Sequence, residues 1–284
     1  MTKGTIYRIE QVLEKLFQYM HQRKITDCGK LKREDIDGFI KTLTGYAIKT
    51  LSVSMYSLKT FLKYLYEQKI VTEDLCKYVP KIKHVKRRSI PSTWTETETI
   101  KILESIDRGN PCGKRDYAIL LLITRLGLRQ SDVINLEFND LDWEKSTISF
   151  NQKKTKELLT LPLLEDVGNA IIDYLKNGRP ISDLPFVFMK HYHPFEQMTD
   201  IYLILEKYLW FSGVGKKADR QNGPHSLRHS LAGRLLEKDT PVEVISSILG
   251  HSSINVTNEY LKIDLKSLAE CALDPEEVLC NASE

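Results

Sequence analysis

Between Pro80 and Pro91 the chain runs Lys81, Ile82, Lys83, His84, Val85, Lys86, Arg87, Arg88, with six basic residues in eight and no helical period. Proline removes an amide donor and biases the preceding residue toward extended backbone, so no regular helix runs through this stretch. A dense run of like charge has too little apolar surface to build a core of its own. The 284 residues are thereby divided into two segments that must each bury a separate core. Residues 81–92 read as an extended basic linker.

Upstream of it, Ile6, Ile9, Leu13, Leu16, Phe17 and Met20 recur every three or four residues, the period of one helix face. Ile36, Phe39, Ile40 and Leu43 predict a second, short helix ended by Gly45. Met55, Leu58, Phe61, Leu62 and Leu65 predict a long third one running to Gln68, and a turn over 75–79 precedes Pro80. Residues 1–80 are thus expected to form a helical bundle. Lys49, Lys59, Lys63 and Lys69 interleave with Tyr56, Tyr64 and Tyr66, which fits either a face laid on a nucleic-acid backbone or a solvated basic face beside core tyrosines.

Charge is distributed unevenly. Residues 1–92 hold 19 Lys+Arg against 9 Asp+Glu, leaving 22 against 29 for the remainder. An excess of cations on one part of a chain is the electrostatic footprint of a polyanion binder, because neutralised phosphates release condensed counterions. No run of eighteen apolar residues occurs, and the first residues, Met1 to Thr5, lack the apolar stretch of a secretory signal, so a place inside the cell and away from membranes is expected. Cys28, Cys76, Cys112, Cys271 and Cys280 are odd in number and form no C-x-x-C pair, which argues against a disulfide framework or a structural zinc.

Beyond the linker, helical patterns cover 95–106, 117–126, 131–136, 167–175, 201–211, 226–236 and 242–249, while 147–150 and 158–163 alternate as strands. The chain is expected to be mainly α, with two unlike domains: an N-terminal helical bundle and a larger mixed α+β domain with a small antiparallel sheet. The polar residues of this second domain fall in a telling order. Arg129 follows Gly127 and Leu128 where one helix stops and another begins. Lys154 stands in the turn between the two strands, with Lys153 and Lys156 as neighbours. His225 and Arg228 lie at i and i+3, one face of a helix that Gly223 and Pro224 introduce. His251 follows the helix stop Gly250, and Tyr260 comes nine residues later. Arginine forks can hold the nonbridging oxygens of a phosphate, and a lysine can protonate a leaving oxygen. The spacing of His225 and His229 could suggest a metal, but position 226 is Ser instead of the general-base Glu of metalloproteases.

Together Arg129, Lys154, His225, Arg228, His251 and Tyr260 resemble the active site of the tyrosine recombinases, the family of phage integrases and Xer-type dimer resolvases. The resemblance spans the chain and is strongest over 115–264. It implies a SAM-like core-binding domain over 1–80, the linker, a catalytic domain over 93–264, and a tail helix over 265–284 that contacts a neighbouring protomer. It also implies that Tyr260 attacks a scissile phosphate to give a 3′-phosphotyrosyl link, that Lys154 is the hairpin lysine, and that no cofactor or metal takes part. Asp132 departs from the commoner family Glu and is expected to orient a neighbouring side chain. His229 has no chemical role in the family pattern. The implied partners are double-stranded DNA with an inverted-repeat site, contacted by Lys59, Lys63, Lys81, Lys83, Lys86, Arg87 and Arg88, and three further copies of the chain in a tetramer on two sites. Integration, excision or cointegrate resolution for a mobile element, as in TnpI-type resolvases, is the expected role, in a bacterial cytoplasm at nucleoid or plasmid. A Xer-type resolvase, a type IB topoisomerase-like enzyme and a DNA-binding protein without strand exchange are the alternatives.

Overall fold

The computed structural model describes residues 3–82, 93–216 and 221–250. The chain divides into two compact units, Met1–Ser89 and Ile90–Glu284.

The first unit is helical. α1 (Lys3–Gln22), α2 (Arg33–Thr42) and α3 (Ile48–Glu67) turn their apolar stripes inward, so that Leu16, Ile36, Phe39, Leu58 and Leu62 form its core. α3 begins seven residues before the apolar repeat at Met55 is established. Tyr56, Tyr64 and Tyr66 are exposed, so of the two readings of this face the one with core tyrosines is not met. Lys63 is exposed and pairs with Glu67 one turn on at 3.5 Å, an arrangement worth little in water.

The second unit opens with α4 (Glu96–Glu104), started by a reciprocal capping box in which the Glu98 amide donates to Thr95 Oγ1 and the Thr95 amide to Glu98 Oε2. α5 (Pro111–Leu126) has Asn110 as N-cap and Pro111 in its first turn, and from Ala118 to Leu126 every residue but Arg125 is buried. A helix apolar on all sides belongs at the centre of a domain, and α5 packs against both α7 (Glu165–Asn177) and α9 (Pro224–Leu236). Gly127 closes α5 with φ 65°, and α6 (Gln130–Val133) follows at once. Next comes an antiparallel sheet in the order β1 (Leu141–Asp142), β2 (Thr147–Asn151), β3 (Leu158–Pro162). Ile148 faces Leu161 and Phe150 faces Leu159 in register, and these four are the buried set of the β2–β3 ladder. The strand β1 is absent from the sequence expectation; two residues carry no period. α8 (Tyr202–Phe211) and α10 (Val242–Leu249) complete the described elements. Trp94 ties the start of this unit to α9, its amide donating to Ser230 Oγ and its indole Nε1 to Ser226 Oγ, both at 2.6 Å.

Candidate active site

Three helix ends meet in the second unit, and arginines hold them together. α9 begins at Pro224, where a missing amide costs nothing in the first turn, and this sets His225 and Arg228 one turn apart. Arg228 is 1% exposed, and its two terminal nitrogens donate to the carbonyls of Gly127, at the end of α5, and Leu249, in the last turn of α10. Such carbonyls have no intrahelical partner and carry the negative ends of the helix dipoles, so one buried guanidinium satisfies both.

Arg129 extends the pattern. It precedes α6 as N-cap, and its Nη2 donates to the carbonyl of Gly250 at 2.9 Å. Its Nη1 is buried with no acceptor at hydrogen-bond distance among the described residues, where it lies 3.9 Å from Asp132 Oδ2. An unmatched cationic donor under cover is costly and marks a place where an anion would be held strongly. Asp132 is itself buried and accepts the Lys153 amide at 2.9 Å through Oδ1, which fastens the β2–β3 turn to the helix that follows Arg129.

Lys154 is exposed in that turn, as are Lys153 and Lys156. Lys156 has φ 65°, and its amide closes the turn onto the Gln152 carbonyl at 2.9 Å. His225 is exposed to solvent. Desolvation of its ring, followed by the charges of Arg228, Lys154 and Arg129, holds its pKa below the ordinary imidazole value. The charges of Arg228, Lys154 and Arg129 thus act on His225 in the same sense. Neutral imidazole is the form favoured there, ready to accept a proton. His229 meets the His225 ring edge to face, with centroids 4.4 Å apart, and burial lowers its pKa to about 4, helped by His225 and Arg228. Among the described residues no group of three or more His, Cys, Asp or Glu is placed to hold a metal ion.

His251 and Tyr260 lie outside the described residues, as do Lys83, Lys86, Arg87, Arg88 and the tail 265–284. Lys59, Lys63 and Lys81 belong to the first unit. Among the buried polar residues that escaped the sequence reading, Gln152, 1% exposed, lies at the base of the lysine turn. The signal was available, since Ile148 and Phe150 set an inward register that position 152 continues.

Comparison with known proteins follows the same lines. Residues 93–266 match the model of the phage integrase family. The Sinorhizobium fredii protein y4rA is 30% identical over 277 residues, 96% of this chain but 66% of y4rA, so the chain spans just under two thirds of that relative. Tyrosine recombinase XerA of Pyrococcus horikoshii is 29% identical over 275 residues, covering 95% of this chain and 86% of XerA. Among solved structures, the XerH site-specific recombinase bound to its palindromic difH substrate shares the fold, with a TM-score of 0.73 at 20% identity over 94% of this chain and 78% of XerH.

Proposed function

The chain belongs to the phage integrase family of tyrosine recombinases, and from that premise we propose that it cuts and rejoins DNA at a specific site for a mobile element, with Tyr260 as nucleophile. The observation that carries this reading is the convergence of Arg129, Arg228, Lys154 and a neutral-favouring His225 beside the Leu249–Gly250 helix stop, ten residues before Tyr260.

The chemistry is a phosphoryl transfer in two halves. The Tyr260 phenol gives its proton to His225 as its oxygen bonds to phosphorus. The bond from phosphorus to the 5′-oxygen breaks, and Lys154 protonates that oxygen so that it leaves as a hydroxyl. General acid help of this kind is typically worth ~10²- to 10⁴-fold. Arg129 and Arg228 balance the charge that builds on the nonbridging oxygens, with His251 adding a donor. The 3′-phosphotyrosyl bond preserves the energy of the broken linkage, and the 5′-hydroxyl of a partner strand releases Tyr260 by the reverse path.

The basic first unit and linker supply phosphate contacts through Lys59, Lys63, Lys81, Lys83, Lys86, Arg87 and Arg88, the catalytic part extends over 93–264, and residues 265–284 join protomers in a tetramer on two sites. The likeness to XerA over 86% of that protein favours a second role for the same chemistry, dimer resolution of a replicon.

The test is a covalent adduct that resists SDS, formed in EDTA on supercoiled DNA carrying the protein's own gene and flanks. Wild type is expected to form it and Tyr260→Phe to bind DNA without forming it. An adduct in the variant removes Tyr260 from the reaction.

A further inference from the structure

Gln152 sits where strand register asks for an apolar residue. Its carboxamide is buried, and among the described residues only one of its two ends is matched: Oε1 accepts the Thr155 hydroxyl at 2.6 Å, while Nε2 has no acceptor there. A leucine or methionine would fill the slot without leaving a donor unmatched, a defect that ordinarily costs stability. A polar side chain kept in such a place has a task that packing alone would not require.

Its surroundings identify the task. The Gln152 amide donates to the Glu157 carbonyl and its own carbonyl accepts from the Lys156 amide, both at 2.9 Å, so this residue closes the turn at both ends. Thr155, which the carboxamide holds, is the residue after Lys154. On its other side the carboxamide bears on Gly250: a methyl group built there would stand 2.0 Å from Nε2. Gly250 is also the residue whose carbonyl Arg129 grips. One buried amide thus spans the lysine turn and the helix stop that anchors the arginine.

We propose that Gln152 is the positioning residue for Lys154, setting the turn so that the lysine ammonium reaches the departing 5′-oxygen. This rests on the reading of Lys154 as the general acid. When the phenol oxygen bonds to phosphorus and the bond to the 5′-oxygen breaks, the proton moves from Lys154 Nζ to that oxygen. Gln152 touches neither reacting atom.

The experiment replaces the 5′-bridging oxygen by sulfur in a nicked duplex carrying the sequence at which wild type forms its adduct. A thiolate leaves without protonation, since its conjugate acid has a pKa of about 8.5 against roughly 15 for water-like hydroxyls, so a defect in acid delivery disappears with sulfur. Full-length wild type, Gln152→Leu, Thr155→Val and Lys154→Ala are compared on both substrates. With oxygen, adduct formation is expected to slow by roughly 10- to 100-fold in Gln152→Leu, less in Thr155→Val and most in Lys154→Ala, part or all of what an acid supplies. With sulfur, all three should come within about threefold of wild type. Equal slowing of Gln152→Leu on both substrates overturns the proposal, because the residue then acts on the phosphate or on the fold. If Gln152→Leu does not fold, Thr155→Val decides by the same pair of rates. Failure of sulfur to restore Lys154→Ala removes the lysine assignment itself, whereas rescue of Lys154→Ala without rescue of Gln152→Leu removes only the inference about Gln152.

Discussion

At the scale of single residues, the site is governed by which group can satisfy two demands at once. Arg228 bridges two helix ends with a planar fork, and a lysine, with one ammonium on a flexible stem, cannot reach both carbonyls. Arg228→Lys should therefore keep the fold at a cost of about 1–3 kcal/mol while slowing adduct formation by roughly 100-fold or more. Thermal melting and cleavage rates measured together check this, and unchanged cleavage would remove Arg228 from the reaction. His225 makes the complementary case. Its pKa is held down by desolvation and then by the cations Arg228, Lys154 and Arg129, all of which disfavour the imidazolium. The neutral ring therefore persists below pH 6.5, and cleavage that needs it should continue into that range before failing at lower pH. In Lys154→Ala one of those cations is gone, so the His225 resonance followed by NMR should titrate at a higher pH than in wild type. A shift in the opposite direction, or none, would separate the two side chains.

At the scale of elements, the site depends on helices that stop abruptly. Gly127 ends α5 with φ 65°, and an added Cβ would lie 2.7 Å from Leu249 Cδ2 and 2.9 Å from Leu231 Cδ2. Gly127→Ala combines left-handed strain with overpacking, together about 2–4 kcal/mol. It should lower the melting temperature and also displace the carbonyl that Arg228 holds; an unperturbed variant would show that the α5 stop can relax. Elements of this kind differ in how far the sequence reveals them. The inward stripes of α1 and α2, the α9 pair His225 and Arg228, and the alternation of β2 with β3 are periodic and local, so their positions could be read before any coordinates. β1 is two residues long and exists because β2 offers it a ladder, which no local pattern encodes. α5 opens with Pro111, Cys112 and Gly113 and is charged from Lys114 to Asp116, so apolar periodicity begins only later, although Asn110 and Pro111 marked the true start. The residues of the site were legible by type and order. Their partners were not: Arg228 meets carbonyls 101 and 21 residues away, and Gln152 meets a glycine from another element, contacts set by tertiary packing alone.

At the scale of the whole molecule, acid acts on the second unit through histidines that burial keeps neutral. Among the described residues two histidines have a strongly lowered pKa, both in the second unit: His191, held to about 4 by burial and then by the charge of Arg115, and His229, also about 4. In the unfolded chain each would titrate near 6.5. Between pH 6.5 and about 4 the unfolded state binds protons that the folded unit refuses, so stability falls as the pH falls through this window and levels off below it. For the more deeply buried His229 a shift of this size corresponds to at most about 3 kcal/mol, and solvent screening makes the contribution of the half-exposed His191 smaller. All three tryptophans, Trp94, Trp143 and Trp210, belong to the same unit, and Trp94 is buried against α9, the helix that carries His229. Tryptophan fluorescence therefore reports on the unit that carries the acid sensitivity. Melting followed by this signal should drop by roughly 5–10 °C between pH 7 and pH 5. The double variant His191→Gln, His229→Gln should show little of that drop, because neither state then gains a proton at these positions. A wild-type midpoint that stays level from pH 7 to pH 5 would mean that both rings are charged in the folded protein, and His225 would then sit among more positive charge than its neutral form can serve.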